Sequence, residues 1–385
     1  MKVLFLLDSL GAGGAEHSTA LLLPRLASLG VDVSVVTLYA ADEGSEADVR
    51  GAGIPVTVLC RSGYRERIAE LRRILKREQP DILHTALFAA DQIGRIAAAG
   101  LPVKVISSFV NVPRTRALLP PDGPPRWKTT LVNGTDALTC HLFVDRFHAV
   151  TPGVARLYAK AYRIDPRKVT VVERGRPVNA LGERSPARRE RVRASLDLEG
   201  LTPVVVAVGR HEHQKAHTDL VRAMELVTKQ HPNAVLLIVG REGNASKDLR
   251  AEIEARPSLR GNVLLLGHRH DVPDLLAAAD VMALPSRFEG TAGVALEAMA
   301  LGTPIVSTRL DGMEGILIDE TNALVAEVGD VAGMAHSIGR VLTDPALGER
   351  LAVQGRQDFF DRFTLERSAD RMAELYSGVL NGRTS

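Results

Sequence analysis

Two glutamates stand eight residues apart in the last third of the sequence. Glu289 comes shortly after the apolar run Val281–Leu284, and Glu297 falls about two turns into the helix that is predicted to follow. The first carboxylate would lie on a loop beside sugar hydroxyls, and the second could accept hydrogen bonds from the hydroxyls of a ribose. The structural alternatives are a loop carboxylate and a polar helix residue without any ligand.

The residues that come directly after the first glutamate are all small. The first turn of a helix has unpaired backbone N–H groups and carries the positive end of the helix dipole. Small side chains allow a phosphate to approach those groups closely. We therefore predict an anion site at Gly290, Thr291, Ala292 and Gly293.

Two cations follow another apolar run, Val204–Val208. Gly209 ends the run, Arg210 comes next, and Lys215 stands five residues later. Arginine offers a planar fork to phosphate oxygens and lysine a mobile point charge, so the two together could neutralise a leaving diphosphate. Each alone would more simply be a surface cation. The chain contains no Asp-x-Asp pair, the motif that usually binds a divalent ion beside a diphosphate. We therefore expect neither a metal nor another cofactor.

A glycine-rich segment follows the first apolar run of the chain. Its sequence from Gly11 to Glu16 fails as a dinucleotide-binding motif, because Glu16 stands where that motif needs Gly or Ala. The glycines Gly13 and Gly14 still leave bare backbone, which we expect to face a cleft.

Short apolar runs alternate with amphipathic stretches along nearly the whole chain, which predicts α/β domains with parallel, doubly covered sheets. This alternation is interrupted once, by a segment rich in Arg, Glu, Pro and Gly, and then resumes. Two doubly wound Rossmann-like domains with a ligand cleft between them follow from this pattern. The predicted divisions are residues 1–178 for the first domain, 179–202 for a linker, 203–363 for the second domain and 364–385 for a last helix.

The composition is that of a globular protein with an aliphatic core, since 45% of the residues are hydrophobic and only 4% are aromatic. No apolar run approaches the roughly 18 residues that a membrane span needs. The two cysteines lack metal-ligand spacing, which indicates a reducing, cytoplasmic setting. Residues 1–180 carry 24 Lys and Arg against 17 Asp and Glu, which favours a solvated basic face over an anion-binding one. Nucleic acid is not expected, because stacking aromatics do not accompany the arginines.

These motifs together resemble the large family of retaining glycosyltransferases with the GT-B fold, the glycosyl transferases group 1, whose donor motif is Glu-x7-Glu. The resemblance covers nearly the whole chain and is most specific in 204–330. It rests on Gly13-Gly14-Ala15-Glu16, on Gly209-Arg210 with Lys215, on Leu266-Gly267-His268, and on Glu289 and Glu297 before Ala298–Pro304.

The resemblance implies a nucleotide-sugar donor, usually linked to UDP or GDP, and two Rossmann-like domains that face a deep cleft. It also implies that Arg210 and Lys215 hold the diphosphate, that Glu297 binds ribose and that Glu289 lies near the sugar. By the same resemblance, Gly267 and His268 border the base, the Gly13–Gly14 loop approaches the donor from the other domain, no metal is needed, and the last helix packs back on the first domain.

The acceptor side departs from the family pattern. Relatives often carry Asn-Gly where this chain has Glu173-Arg174-Gly175-Arg176, and they place a cleft histidine a few residues after the position of His84. We consider two roles for His84, a contact to the acceptor and a buried, satisfied histidine under the sheet edge. The segment 109–130 is interpreted either as an acceptor loop or as a peripheral contact with a membrane.

The sequence therefore predicts a retaining, metal-independent hexosyl or other glycosyl transfer to a hydroxyl of a glycan, a glycolipid or a natural product. The expected setting is the cytoplasm, with the inner face of the membrane as a further option. Two alternatives stay open: a catalytically silent relative that only binds nucleotide sugar, and a nucleotide-sugar epimerase on the same fold.

Overall fold

The computed structural model describes residues 1–11, 13–41, 43–113, 125–198 and 202–382. The chain divides into two units, Met1–Pro177 with Arg362–Ser385, and Val178–Asp361. Within the described residues, each unit contains one sheet whose paired strands are all parallel. The predicted α/β class with two Rossmann-like sheets is confirmed.

The first unit has a sheet with the strand order β3-β2-β1-β4-β5-β6-β7 among the residues that the structure describes. Its strands are β1 (Lys2–Leu7), β2 (Asp32–Thr37), β3 (Val56–Val58), β4 (Ile82–Ala86), β5 (Lys104–Phe109), β6 (Arg146–Ala149) and β7 (Val169–Val171). Its helices before the second unit are α1 (Gly14–Ser28), α2 (Glu46–Gly51), α3 (Tyr64–Glu78), α4 (Phe88–Ala98), α5 (Arg126–Phe143) and α6 (Pro152–Tyr162).

The second unit has the strand order β10-β9-β8-β11-β12-β13 in its described part. The strands are β8 (Val204–Val208), β9 (Val235–Val239), β10 (Val263–Gly267), β11 (Val281–Leu284), β12 (Ile305–Thr308) and β13 (Leu324–Ala326). The helices are α7 (Val178–Leu181), α8 (Pro186–Ala194), α9 (His217–Val227), α10 (Ser246–Glu254), α11 (Val272–Ala278), α12 (Gly293–Leu301), α13 (Val331–Thr343) and α14 (Pro345–Arg362), and α15 (Leu365–Leu380) then returns to the first unit. None of the helices in the described residues combines the length and the apolarity that crossing a membrane would require.

The last helix, α15, completes the cover of the first sheet. Thr364 caps it by accepting a hydrogen bond from the backbone N–H of Arg367, as its position in the sequence predicts. Its buried residues Ala369, Met372 and Tyr376 join the cluster that contains β1 and α1. A parallel sheet must be covered on both faces. In the part of the chain that the structure describes, the helical residues of this core cluster come from α1, α2 and α15, so α15 supplies cover that α1 and α2 do not.

A directional chain of hydrogen bonds ties α15 to three strands of the first unit and to the residue that follows a fourth. The Tyr376 hydroxyl lies 2.6 Å from His84 Nδ1, and Ser108 Oγ lies 2.6 Å from His84 Nε2 and 2.7 Å from His148 Nδ1. His148 Nε2 lies 2.9 Å from the carbonyl oxygen of Val172 and must donate to it. Burial keeps both imidazoles neutral, since it holds the pKa of His84 well below its usual range and lowers the pKa of His148 to about 4. A neutral His148 that donates from Nε2 accepts at Nδ1, so Ser108 donates to His148, His84 donates to Ser108, and Tyr376 donates to His84.

The segment 179–202, which the sequence suggests as a linker, is packed on the second unit through its arginines. Arg184 donates to the carbonyl oxygens of Ala277, Ala279 and Gly302 at the ends of α11 and α12. Arg193 donates to Asp280 at 2.7 Å and is only 2% exposed. Cations at the C-termini of helices satisfy carbonyl groups that lack helical partners and complement the dipole. The segment therefore belongs to the second unit and contains α7 and α8.

Arg193 should carry a measurable share of the stability of the second unit. Replacing Arg193 by Ala leaves the carbonyl groups of Ala278 and Thr202 and the carboxylate of Asp280 without this donor. We expect the free energy of unfolding to fall by about 3 kcal/mol in urea titrations. Arg191, whose side chain is 70% exposed and 3.9 Å from Asp274, is the matched control, and equal effects of the two substitutions would contradict this account.

The histidine chain predicts that the fold loses stability in mild acid. Burial holds the pKa of His84 well below its usual range and lowers the pKa of His148 to about 4. The unfolded chain binds protons first as the pH falls below about 6.5, so the stabilisation is complete above that value and is lost between about pH 6.5 and pH 4. Each histidine should contribute a slope of about 1.4 kcal/mol per pH unit in that window.

The measurement is a series of urea titrations between about pH 7 and about pH 5. The variant His148→Gln keeps a donor toward Val172 but removes one titrating group, so its slope should be smaller than that of the parent protein by one histidine's share. His213→Gln, at an exposed position, should keep the parent slope. An unchanged slope for His148→Gln would refute the assignment of a neutral buried imidazole.

Candidate functional site

The ion pair between Lys215 and Glu289 lies where the second sheet reverses its strand order. Lys215 ends a 3₁₀ turn, His213–Lys215, after β8, and Glu289 lies on the loop after β11, the strand that pairs with β8. The Lys215 Nζ atom is 2.6 Å from Glu289 Oε1, and the two side chains are only 20% and 7% exposed. Ligands of open α/β sheets bind at the carboxyl ends of the strands at this reversal, so the fold joins two residues 74 positions apart at such a location.

The carboxylate of Glu289 is held from two sides. Besides Lys215, the hydroxyl of Ser286 donates to Glu289 Oε1 at 2.8 Å, and Ser286 is fully buried. A carboxylate in so dry a place is stable only when it is paired and hydrogen-bonded. Ser286 is a residue that sequence reasoning missed, and its only signal was its position three residues before Glu289.

Two hydrogen bonds to backbone carbonyl groups also join the loops after β8 and β11. Gln214 Nε2 donates to the carbonyl oxygen of Phe288 at 2.8 Å, and the N–H of Arg287 donates to the carbonyl oxygen of Gln214 at 2.8 Å. Arg287 is further bound to Asp219, at 2.8 Å, in the first turn of α9. These contacts hold the two loops together independently of the Lys215–Glu289 ion pair.

Two glycines make room for the lysine. A Cβ atom on Gly209 would stand 3.0 Å from both Cδ and Cε of Lys215, and a Cβ on Gly240 would stand 2.0 Å from the carbonyl oxygen of Gly209. The first contact explains why the aliphatic part of Lys215 can lie across the end of β8. The second involves backbone atoms that cannot move aside, so Gly240 at the end of β9 is a steric requirement of the site.

The small residues after Glu289 lead into α12, as predicted. Ala292 is the N-cap of this helix and provides no side-chain hydrogen bond to its first turn. Within the described residues, the buried hydroxyl oxygen of Thr291 has no hydrogen-bond partner. The start of α12, with Gly290 and Gly293 on either side, thus offers backbone N–H groups and one hydroxyl to an anion.

Arg210 differs from Lys215 in its surroundings. Its side chain is 63% exposed, and its guanidinium lies 3.8 Å from Glu212 Oε1. The structure does not join Arg210 to the Lys215–Glu289 pair, and leaves its guanidinium accessible to a ligand in solvent.

Glu297, Gly267 and His268 complete the residues predicted for the donor. Glu297 lies in the second turn of α12 and is half-buried. Gly267 ends β10 with φ +64°, a conformation that favours glycine, and the exposed His268 follows, with Nε2 3.3 Å from Arg241 Nη2. Because β10 is two strands from β8, Gly267 and His268 lie roughly 10 Å from the end of β8 along the same carboxyl edge of the sheet.

Two further histidines beside this site were not predicted. His211 and His217 are each 4% exposed, and in the described structure His211 Nε2 and His217 Nδ1 have no hydrogen-bond partner. Both rings border a cavity of about 20 Å³ behind the Lys215 turn, which is enough for one water molecule. Burial, together with the positive charges of His211 and Lys215, lowers the pKa of His217 to about 3. The signal in the sequence was three histidines within residues 211–217.

In the first unit, Gly13 and Gly14 form the start of α1, where Gly13 is the N-cap and adds no side-chain bond. Arg174 donates to the carbonyl oxygen of Gly14 at 3.2 Å and to Ser18 Oγ at 3.4 Å, and Arg176 donates to the same hydroxyl at 3.1 Å. Burial and the neighbouring Arg176 lower the pKa of Arg174 to about 10. The departure from the family pattern at 173–176 thus brings two arginines to the glycine-rich turn.

His84, for which a contact to the acceptor was one of two roles considered, is 2% exposed and uses both ring nitrogens within the chain of hydrogen bonds that ends at Val172. This is the arrangement expected of the second of its two proposed roles, a buried and satisfied histidine.

In the part of the chain that the structure describes, no group of three or more His, Cys, Asp or Glu side chains could hold a metal ion.

Comparisons with known proteins place both halves of the chain in one enzyme class. Residues 202–344 match the family model described as Glycosyl transferases group 1, and residues 12–179 match the model described as Glycosyltransferase Family 4. The lipopolysaccharide core biosynthesis glycosyltransferase LpsE of Rhizobium meliloti is 26% identical over 94% of this chain and 95% of that protein. An Escherichia coli protein named UDP-Gal:alpha-D-GlcNAc-diphosphoundecaprenol alpha-1,3-galactosyltransferase is 27% identical over 80% of this chain and 78% of that protein.

Solved structures show the same fold. Anabaena HepE in complex with UDP superimposes with a TM-score of 0.83 at 20% identity, over 98% of this chain and 100% of that one. The lipopolysaccharide glycosyltransferase WaaG gives a TM-score of 0.74 at 18% identity, over 98% and 100% of the two chains. The second half of the chain thus matches the group 1 glycosyltransferases, the first half matches a second glycosyltransferase family model, and the fold is that of the solved GT-B glycosyltransferases.

Proposed function

We propose that this protein transfers a sugar from a nucleotide-diphosphate sugar to an acceptor hydroxyl with retention of the anomeric configuration. The observation that carries the proposal is the Lys215–Glu289 ion pair, 2.6 Å long, at the strand-order reversal and on the loop that enters α12. A cation, a carboxylate and the start of a helix in one place match the three parts of such a donor: the diphosphate, the sugar hydroxyls and the anionic charge that grows as the bond breaks.

The diphosphate would be bound by charges of two kinds. Lys215 supplies a point charge held in place by Glu289, and Arg210, exposed beside it in the sequence, supplies a planar fork that can close on phosphate oxygens. The N–H groups at Ala292 and Gly293 and the hydroxyl of Thr291 supply fixed dipoles. Because the protein itself then neutralises the leaving group, the reaction as proposed needs no divalent ion.

The rest of the donor would lie along the carboxyl edge of the second sheet. Glu289 keeps Oε2 for a hydroxyl of the sugar while Lys215 and Ser286 hold Oε1. Glu297 would accept hydrogen bonds from the ribose, and Gly267 and His268 would border the base. UDP is the first nucleotide to test, because the HepE structures contain UDP or UDP-glucose and the E. coli relative is named for UDP-Gal.

The reaction would proceed on one face of the sugar. The bond from the anomeric carbon to the diphosphate breaks first, and its electron pair goes to the phosphate oxygen. The protein's cations and helix dipole stabilise that charge, which is the interaction that strengthens most in the transition state. The acceptor oxygen then forms the new bond from the same face, and its proton passes to a phosphate oxygen of the leaving group, so no protein carboxylate is needed as base.

The acceptor class is a separate part of the proposal. The relatives named above act in lipopolysaccharide core biosynthesis and on a diphosphoundecaprenol-linked sugar. We propose a glycan or lipid-linked acceptor of this kind, which this protein would meet in the cytoplasm. The alternatives of a silent binder and of an epimerase predict, respectively, no turnover of the donor and an isomerised donor.

Removing Lys215 should abolish most turnover while the fold survives. We expect donor hydrolysis and transfer by Lys215→Ala to fall about 10² to 10³-fold, because one charge that stabilises the leaving diphosphate is lost. Thermal shift against UDP-, GDP-, ADP- and TDP-sugars identifies the donor of the parent protein, since a ligand of the native state raises the melting temperature. The same shift should shrink in the variant.

Two controls separate chemistry from folding. Lys229→Ala, at an exposed position in the same unit, should hydrolyse the donor like the parent protein. Since Lys215→Ala leaves the buried Glu289 without its cation, the double variant with Glu289→Gln removes the uncompensated charge and should recover stability but not turnover. Turnover at the parent level in either Lys215 variant contradicts the proposal.

The stereochemistry can be tested without an acceptor. The protein is mixed with the α-linked nucleotide sugar that gave the thermal shift, and the released sugar is followed by proton NMR before its anomers equilibrate. A front-face reaction releases the α-anomer first, because water attacks from the side that the diphosphate leaves. The β-anomer as first product would overturn the retaining mechanism while leaving the donor assignment intact.

A further inference from the structure

Helix α5 exposes a stripe of large apolar side chains that the fold does not use. Trp127, Leu131, Leu138 and Leu142 are 63%, 60%, 57% and 62% exposed. At 100° per residue they fall within an arc of about 60°, and at 1.5 Å per residue they extend over about 22 Å of the helix. In the part of the chain that the structure describes, no other helix exposes four such side chains. Contiguous apolar surface of this kind marks an interaction site.

The opposite side of α5 already anchors the helix in its unit. Asp136, the helix's single carboxylate, is 6% exposed and accepts hydrogen bonds from Arg95 at 2.6 Å and Gln92 at 2.7 Å. Cys140, one turn later, is buried in the core cluster of α3, α4 and α6. The helix therefore has two apolar sides, and the exposed stripe adds nothing to the packing of the unit.

The region of the chain that carries the stripe is basic. Lys128 stands beside Trp127, with its Nζ 5.5 Å from the ring centroid. The neighbouring helix α6, which Tyr162 ties to Asp136 at 2.8 Å, exposes Arg156 and Lys160. Residues 126–168 contain eight Lys and Arg against three Asp.

The three acids of this region are all occupied. Asp136 is buried, and the remaining two are paired: Asp145 with Lys104 at 2.9 Å, and Asp165 with Arg167 at 2.8 Å. The exposed face of α5 itself carries no carboxylate. An anionic partner would thus meet little repulsion along the whole length of the stripe.

We propose that the exposed face of α5 binds the surface of an anionic phospholipid bilayer. A helix with an apolar stripe, flanking cations and a tryptophan at one end fits the plane of a membrane interface, with the stripe in the boundary between headgroups and chains and the cations at the phosphates. The acids of this region are occupied and its exposed charges are cations, so the charge complements the lipid phosphates of an anionic bilayer. This inference does not depend on the sugar donor or on the reaction.

Trp127 is the only tryptophan of the chain, so its fluorescence reports on the stripe alone. We expect vesicles of phosphatidylcholine with phosphatidylglycerol to shift the emission to the blue, and brominated acyl chains to quench it. Pure phosphatidylcholine should act more weakly, and raised salt should weaken the charged case, because screening acts on the exposed cations. Emission that vesicles leave unchanged overturns the proposal.

The variant Leu131→Gln with Leu138→Gln keeps the reporter and removes half of the stripe. Co-sedimentation with the mixed vesicles should fall about ten-fold or more, since two apolar side chains no longer leave water, while the melting temperature stays unchanged. Val353→Gln, at a site 58% exposed on α14, is the matched control and should sediment like the parent protein. Equal sedimentation of all three proteins overturns the proposal. A tryptophan shift that depends on protein concentration in the absence of lipid also overturns it, because that result assigns the stripe to a second copy of the protein.

Discussion

The ion pair between Lys215 and Glu289 depends on the order of strands in the second sheet. β8 and β11 are neighbours although β9 and β10 lie between them in sequence, so the loops that leave their carboxyl ends meet on one edge. Each charge stabilises the other in a place with little solvent, where either alone would be costly. The glycines at 209 and 240 and the hydrogen bonds of Gln214, through its side-chain Nε2 and its backbone carbonyl, allow this arrangement, because they let the lysine and the loop lie close together.

A preformed pair of this kind has a chemical consequence. A lysine held by a buried carboxylate does not need to reorganise when negative charge develops beside it, and a carboxylate held by a lysine and Ser286 presents its other oxygen in a fixed direction. Arg210 is different, since its exposed guanidinium must be ordered by the ligand. The proposed site therefore combines a rigid part beside the breaking bond with an adaptable part around the diphosphate.

The sheet of the first unit is covered on one face by α15, a helix from the other end of the chain. Tyr376 on α15 makes the first bond of the chain that passes through His84, Ser108 and His148, and neutral imidazoles are what keep that chain intact. On the other face, α5 is fixed by Asp136 and leaves its Trp–Leu stripe in solvent. The same unit thus buries a directional polar network and leaves the four large apolar side chains of the stripe in solvent, and this contiguous exposed apolar surface is the reason for assigning the stripe to a partner.

The amino-acid sequence determined the α/β alternation of both units, and the apolar runs Val204–Val208 and Val281–Leu284 became β8 and β11, because buried parallel strands are continuous apolar runs between turn residues. It also determined the cap of α15 and the small residues at the start of α12, which are local features. Helices α2, α5, α6, α7, α13 and α14 were not predicted individually. The arginine-rich segment 179–202 read as a linker, since most of the carbonyl groups that Arg184 and Arg193 bind belong to residues some 80 to 120 positions away.

Only the tertiary structure decided which of the predicted site residues meet. Lys215 and Glu289 pair, Arg210 stays in solvent, and His84 is enclosed with Tyr376, which lies 292 residues away. Spacing along the chain fixes residue types and local conformation, whereas burial and partnership are set by which strands become neighbours. For this reason the histidines at 211 and 217, the serine at 286 and the exposed stripe of α5 became visible only once the sheets were assembled.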